Sequence, residues 1–207
     1  MSYSVWPAIH VERKALLDDV ADLTEADWST PSLCSEWTVA DVLAHLLSLA
    51  KMTPPRFATR FATARFDFHR FAAGQVLLES AGGPSAMVAG LRAAEPRESA
   101  PPGPKLTWLG ENIVHGEDIR RPLGIRRAYP LAEVTRALGF YAGSNAIIGG
   151  KNRIAGLTLE ATDVTFSVGT GPTVRGPALA LLLASTGRAC VLDELSGPGL
   201  DELRGRP

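Results

Sequence analysis

The sequence predicts a mainly α protein in which a helical bundle is followed by a small α+β unit. The 207 residues are 45% hydrophobic, which is enough to build a buried core. Apolar residues recur at helical spacing through most of the first 150 residues. Beyond residue 150, short alternating segments typical of strands appear. We therefore expect a helical domain over residues 1–150 and a small α+β domain over residues 151–207.

Charge and cysteine content narrow the class of protein. Twenty-one Lys and Arg against 22 Asp and Glu give a net charge of -1, so no global field attracts nucleic acid or an anionic membrane. No segment reaches the roughly 18 apolar residues of a membrane span, and the amino terminus lacks a signal-peptide pattern. We expect a cytoplasmic protein that binds neither nucleic acid nor membranes. A disulfide between Cys34 and Cys190 is not expected. Cys190 is expected to be a buried apolar residue, and Cys34 a packed structural cysteine, with a direct catalytic role as the alternative.

The helices of the bundle follow one another from the amino terminus. The segment "IHVERKALLDDVADL" predicts an amphipathic first helix. The second has the clearest start, since Thr38 and Asp41 form a capping-box pattern and Trp37 and Val42 occupy the hydrophobic staple positions. This second helix carries His45 at the edge of its apolar stripe, where an imidazole can face the mouth of a bundle.

A phenylalanine-rich segment and a histidine-containing segment complete the bundle. The segment "RFATRFATARFDFHRFAAGQVLLES", residues 56–80, predicts one long helix whose phenylalanines at helical spacing lie in the core; these are Phe57, Phe61, Phe68 and Phe71. "SAMVAGLRAAE" predicts a short helix, and "TWLGENIVHGEDIRR" another. After residue 150, "AGLTLEAT" and "VTFSVG" predict strands. "RGPALALLLASTGR" predicts a buried helix, with Pro177 near its first turn and Gly187 past its end.

Three side chains form a candidate metal-ligand set. Glu111 and His115 are four positions apart, so both lie on one helix face and can converge on a single point. Alone, such a pair is most often a solvated helix pair. Together with His45, it offers two imidazoles and one carboxylate, a typical set for zinc or a similar divalent ion with one position left open. Asp118 follows His115 by three positions and either accepts its other N–H or is simply solvated.

These residues lie in two segments that resemble a known family. "SLCSEWTVADVLAHLL" together with "ENIVHGEDIRRPLG" resembles the mycothiol-dependent maleylpyruvate isomerase family, within the DinB-like (YfiT-like) group of metal-binding four-helix bundles. "VRGPALALLLASTGRACVLDELSGPGLDEL" resembles the small second domain of that family. The resemblance implies a DinB-like four-helix bundle followed by a small α+β domain. It places the metal ligands at His45, Glu111 and His115, and the aspartate of the family motif at Asp118. Glu117 stands where many members have an aromatic residue.

The resemblance also implies the cofactors. They are a divalent metal, with zinc favoured and nickel, iron or manganese as alternatives, and mycothiol, the low-molecular-weight thiol of actinobacteria. Arg56 and Arg60, on the phenylalanine-rich segment, are candidates to bind carboxylates of mycothiol or of a diacid substrate. The alternative for both arginines is a solvated helix face. No catalytic residue beyond the metal ligands is identified.

Two classes of function remain open at this point. The first is a metal- and mycothiol-dependent enzyme, either an isomerase or an S-transferase, acting on a small electrophile. The second is a non-catalytic DinB-like module that binds metal or responds to stress. A structural metal site would need a fourth protein ligand, and no further His or Cys stands out nearby, so the enzyme is the favoured hypothesis. Either a monomer or a homodimer is compatible with the sequence.

Overall fold

The computed structural model describes residues 3–145 and 150–206. It is mainly helical, and its contacts divide the chain into two compact units between Arg127 and Ala128. The helices of the first unit are α1 (Trp6–Asp19), α2 (Glu25–Trp28), α3 (Val39–Lys51), α4 (Pro54–Thr63), α5 (Phe68–Ser80), α6 (Gly83–Ala94) and α7 (Lys105–Arg120).

The first unit is the predicted four-helix bundle. Helix α3 packs against α5, α6 and α7, and α1 packs against α6 and α7. Since only Ala81 and Gly82 separate α5 from α6, these two helices together occupy one position of the bundle. The shared core is built from fully buried aliphatic side chains such as Val42, Leu43 and Leu91. Burial of each such side chain contributes roughly 1.5–3 kcal/mol to stability.

Helix α3 begins where the sequence predicts it. The Thr38 hydroxyl accepts a hydrogen bond from the Asp41 backbone N–H at 3.2 Å, and the Thr38 N–H donates to the Asp41 carboxylate at 2.9 Å. This capping box satisfies two backbone N–H groups that a helix start otherwise leaves without partners. It fixes the register of the helix that carries His45.

The single long helix predicted over residues 56–80 is wrong, because the chain breaks it into α4 and α5. Arg65 and Phe66 adopt left-handed backbone conformations, with φ of 59° and 62°. Asp67 then starts α5, as its side chain accepts a hydrogen bond from the Arg70 N–H at 2.9 Å. Helix α4 buries none of its residues completely, so little packing opposes this break.

The second unit is the small α+β part of the fold. It contains α8 (Leu131–Gly143), α9 (Gly150–Arg153), β1 (Thr158–Ala161), β2 (Ser167–Gly169), β3 (Thr173–Gly176), α10 (Ala178–Ser185), a 3-10 helix (Ala189–Glu194) and α11 (Leu200–Arg204). The sheet has the order β2-β1-β3, with β1 antiparallel to β2 and parallel to β3. Strands β1 and β2 lie in the predicted strand segments, whereas β3 was not predicted.

Helix α8 belongs to the second unit because it packs against α10, the buried apolar helix of that unit. The contacts therefore divide the chain earlier than the predicted domain boundary between residues 150 and 151. Residues 146–149, which adjoin that boundary, lie outside the described part of the chain. The assignment of domains to residues 1–150 and 151–207 stays a prediction. None of the helices described here is long and apolar enough to span a bilayer.

Candidate metal centre

Helices α3 and α7 bring the three predicted ligands together. His45 lies in the middle of α3, and Glu111 and His115 lie one turn apart on α7, which packs directly against α3. Glu111 Oε2 is 3.2 Å from His45 Nε2 and 3.2 Å from His115 Nε2. One potential ligand atom from each of the three residues lies within 4.8 Å of the others. The two imidazole rings meet edge to face, with centroids 4.8 Å apart.

Two of the three cluster side chains are buried inside the bundle, and His45 is partly exposed. Glu111 is 3% exposed and His115 is 6% exposed. Among the side chains described, Glu111 Oε1 and His45 Nδ1 are buried atoms that have no hydrogen-bond partner. A buried carboxylate oxygen without a partner is costly, by roughly 1–3 kcal/mol or more. A cation held among these donors would satisfy Glu111, so the orphaned oxygen fits a metal site.

The Asp118 side chain contacts the ring nitrogen of His115 that is turned away from Glu111. His115 Nδ1 donates to Asp118 Oδ2 at 2.8 Å, and Asp118 is completely buried. This hydrogen bond fixes the ring so that Nε2 is directed towards Glu111. Metal-bound histidines commonly have such a carboxylate on the other ring nitrogen.

The surroundings shift the protonation of all three side chains. Burial acts to lower the pKa of His115, but hydrogen bonds to Asp118 and Glu111 outweigh it and raise the pKa to about 9. Burial acts to raise the pKa of Glu111, yet hydrogen bonds from the two histidines hold it well below its usual range. For His45, burial dominates and lowers the pKa. Near pH 7 the metal-free cluster therefore holds an imidazolium, a carboxylate and a neutral imidazole.

Cys34 lies beside this cluster. A second group of potential ligand atoms, from Cys34, His115 and Asp118, also lies within 4.8 Å. This group shares only His115 with the first, and the His115 side chain is already hydrogen-bonded to that of Asp118. Cys34 is half-buried, in agreement with a packed role, whereas Cys190 is exposed and the prediction that it is buried is wrong.

Other residues singled out from the sequence lie in different surroundings. The Arg56 guanidinium donates to the backbone carbonyl of Lys51 at 3.2 Å, and that of Arg60 donates to Gln75. Within residues 3–145 and 150–206, neither guanidinium is hydrogen-bonded to a residue of the cluster. Their predicted role in cofactor binding stays a prediction. Glu117 is buried and paired with Arg121 at 2.9 Å, which offsets the charge that it adds near the cluster.

Trp37 is a site residue that the sequence reasoning missed. Its ring centroid lies 5.0 Å from that of His45 and 6.2 Å from that of His115. The sequence places Trp37 at the staple position before α3, which explained it as a helix-start residue only. Its position just before the helix that carries His45, eight residues ahead of that candidate ligand, was the available signal.

The fold and the site together define a helical-bundle protein with a buried cluster of two histidines and one glutamate. The sequence profile of the mycothiol maleylpyruvate isomerase N-terminal domain matches residues 9–120, which include all three cluster residues. This match covers more than half of the chain, and the chain belongs to that family. Among curated proteins, none matches the chain significantly.

Two solved structures resemble the whole chain. One is the crystal structure of the mycothiol-dependent maleylpyruvate isomerase, with a TM-score of 0.57 and 11% sequence identity. The other is a histidine-to-alanine mutant of a mycothiol-dependent maleylpyruvate isomerase, with a TM-score of 0.58 and 13% identity. Each alignment covers 93% of this chain and 91% of the other. At these identities the likeness establishes the fold, and it extends through both units.

Proposed function

We propose that this protein is a divalent-metal-dependent enzyme that uses mycothiol to isomerise, or to conjugate, a small electrophile. The observation that carries the proposal is the convergence of His45, Glu111 and His115 donor atoms within 4.8 Å, beside the unsatisfied oxygen of Glu111. Membership of the mycothiol maleylpyruvate isomerase family supports mycothiol as the thiol. Zinc as the metal and the cytoplasm as the location belong to the same proposal.

The donor set suits a catalytic ion. Two imidazole nitrogens and one carboxylate oxygen are common zinc ligands, and three protein ligands leave a position open for a substrate. A divalent ion with an open position supplies a bound thiol as thiolate at neutral pH. His45, Glu111 and His115 would hold that ion.

The protein's own side chains would prepare the site for this chemistry. Asp118 holds His115 by its Nδ1, so that Nε2 stays directed into the cluster. The capping box at Thr38 fixes the register of α3, and therefore the position of His45 along the helix relative to Glu111. Apolar packing of α3 against α7 limits the access of water to the cluster, which strengthens electrostatic interactions there.

Isomerisation and conjugation use the same ligands and differ in the fate of the sulfur. In an isomerase, the mycothiol sulfur adds to a conjugated double bond, rotation follows, and the carbon–sulfur bond breaks again to return the thiol. In an S-transferase, the new carbon–sulfur bond remains in the product. The structures that resemble this chain are of an isomerase, so maleylpyruvate is the first substrate to test.

The test is a turnover assay with purified protein, a divalent metal and mycothiol. Maleylpyruvate is followed by the change in its absorbance, and a panel of electrophiles is followed by mass spectrometry of mycothiol conjugates. We expect turnover that requires both metal and mycothiol. The turnover rate of the Glu111→Gln variant should be lower by about 100-fold or more, because the substitution removes a charged metal ligand. The exposed Glu98→Gln variant should match the wild-type rate.

Two results would contradict the proposal. Turnover that proceeds without mycothiol would exclude it as the nucleophile. Stoichiometric metal binding without turnover of maleylpyruvate or any electrophile in the panel would favour the non-catalytic binding module instead.

A further inference from the structure

The two imidazoles of the cluster are held in different ways. His115 is oriented by its hydrogen bond to Asp118 at 2.8 Å. The corresponding nitrogen of His45, Nδ1, is buried and has no hydrogen-bond partner among the described residues. The orientation of a metal-binding histidine is normally fixed through this second nitrogen. Something other than a hydrogen bond at Nδ1 must therefore hold the His45 ring.

Trp37 contacts the His45 ring from outside the metal-ligand set. The indole and the imidazole have centroids 5.0 Å apart and planes inclined at 45°, and the indole also reaches within 6.2 Å of the His115 ring. Aromatic rings at such separations attract one another beyond the burial of their area. Trp37 is only half-buried, so its side chain lies at the boundary between the cluster and the protein surface.

The loop that carries Trp37 is fixed to both helices of the site. The Trp37 N–H donates to the Cys34 carbonyl at 3.1 Å, and the Trp37 carbonyl accepts from the Ser32 N–H at 2.9 Å. The Leu33 N–H donates to the Asp118 carbonyl at 3.3 Å, which ties the loop to α7. At its other end the loop continues directly into the capping box of α3. The loop is therefore well placed to hold a side chain against both imidazoles.

Backbone strain lies immediately before Trp37. Glu36 has a φ of 71°, a left-handed conformation that costs a residue with a side chain about 1–2 kcal/mol. Such strain persists where the surrounding structure imposes it, and it concentrates at functional sites. Here the strained residue lies directly before Trp37, in the loop that places the indole against His45.

We propose that Trp37 is a positioning residue that fixes the His45 imidazole, and shields His115, so that the cluster is preorganised for a metal ion. Asp118 orients the His115 ring through a hydrogen bond, and Trp37 orients the His45 ring through packing. This inference rests on the metal site of the proposed function. Without the indole, the His45 ring keeps only its Nε2 contact with Glu111 and its edge-to-face contact with His115. The ring is then less ordered before the ion binds, which lowers the affinity for metal.

The size of the effect follows from the side chains that lose their order. Immobilising one flexible side chain on binding weakens affinity by about two- to tenfold. With His45 freed and His115 partly uncovered, we expect Trp37→Leu to bind zinc about tenfold more weakly than the wild type. Trp37→Phe keeps a ring against His45 and should stay within about threefold of the wild-type affinity.

The experiment measures zinc affinity by competition with a chromophoric chelator and does not depend on turnover. Trp28→Leu is the matched control, since Trp28 is 7% exposed in the apolar core and has no ring contact with either histidine among the described aromatic pairs. It should lower the melting temperature and leave the zinc affinity of the folded protein unchanged. The visible spectrum of the cobalt(II)-loaded protein should differ from wild type for Trp37→Leu and not for Trp28→Leu.

The outcomes separate this inference from the proposed function. If the wild-type protein takes up no metal, the proposed function itself fails. If the wild type binds zinc and folded Trp37→Leu binds it equally tightly, with an unchanged cobalt spectrum, the metal site stands and the role of Trp37 is wrong. Should Trp37→Leu not fold, Trp37→Phe and Trp37→Met decide the matter: equal affinity in both would overturn the inference, and loss in Trp37→Met alone would support it.

Discussion

Zinc binding to this protein should release one proton, and that proton should come from His115. In the metal-free cluster the pKa of His115 is raised to about 9, so both of its ring nitrogens carry protons at pH 7. Its Nδ1–H is held by Asp118, and its Nε2–H must leave before the nitrogen can bind an ion. The pKa of His45 is lowered, so that ring is already neutral and releases none. Glu111 is ionised throughout.

The size of the pH dependence of zinc affinity follows from the release of this single proton. Apparent zinc affinity should rise about tenfold per pH unit below pH 9, which gives about 50- to 100-fold between pH 6.5 and 8.5. Chelator competition at several pH values measures this slope. Calorimetry in buffers of different ionisation enthalpy counts the proton directly. Asp118→Asn should lower the pKa of His115 and flatten the upper part of the profile. An affinity that does not change with pH would refute the reasoning, as would the release of two protons.

The stability of the metal-free protein should change with pH in the opposite direction. A pKa raised on folding, from 6.5 to about 9 for His115, contributes stability that is fully present below pH 6.5. That contribution, roughly 3 kcal/mol, is lost as the pH rises through 9. Thermal melts of the metal-free protein should therefore shift to lower temperature across this range. A melting temperature that rises from pH 6.5 to 9 would contradict the assignment.

Three stability predictions concern the scaffold of the site, and urea denaturation measures each. Thr38→Ala removes the capping box of α3 and should lower the free energy of unfolding by about 1 kcal/mol. Thr24→Ala removes the same box from a helix of four residues and should lower it by less. Equal losses of stability in the two variants would contradict this. Glu36→Gly should stabilise the fold by up to about 1 kcal/mol, because the φ of 71° strains a residue with a side chain but not glycine. A less stable Glu36→Gly protein would contradict the strain at this position. Arg127→Ala should cost roughly 3 kcal/mol because Glu12, 4% exposed, loses hydrogen bonds of 2.6 and 2.8 Å; a cost below about 1 kcal/mol would contradict it.

Local sequence signals predicted the parts of the fold that local interactions determine. The capping pattern at Thr38 and Asp41 located the start of α3, because both partners of the box lie within one turn. The break between α4 and α5 was missed, since Arg65 and Phe66 are not residues that favour left-handed backbone. Asp67, a good helix cap, was the signal available at that point. Strand β3 was missed because its parallel pairing with β1 depends on tertiary contacts that no short segment records.

In the candidate site too, local spacing predicts some of the contacts and not others. The spacing of Glu111 and His115 placed them on one helix face, and in the structure Glu111 Oε2 lies 3.2 Å from His115 Nε2. Nothing in the sequence spacing relates His45 to Glu111 across 66 residues. The combined ligand types of the three residues suggested that link, and the family resemblance supported it. Trp37 was missed because its contact with the imidazoles depends on how the loop before α3 packs against α7.

The most direct test of the central claim is the metal content of the purified protein and of its His115→Ala variant. Inductively coupled plasma mass spectrometry would measure zinc, nickel, iron and manganese together. We expect about one divalent ion per wild-type chain, and less than about a tenth of that in the variant, because two ligands alone hold an ion weakly. A folded His115→Ala protein that retains a full equivalent of metal would show that the three side chains do not share one ion.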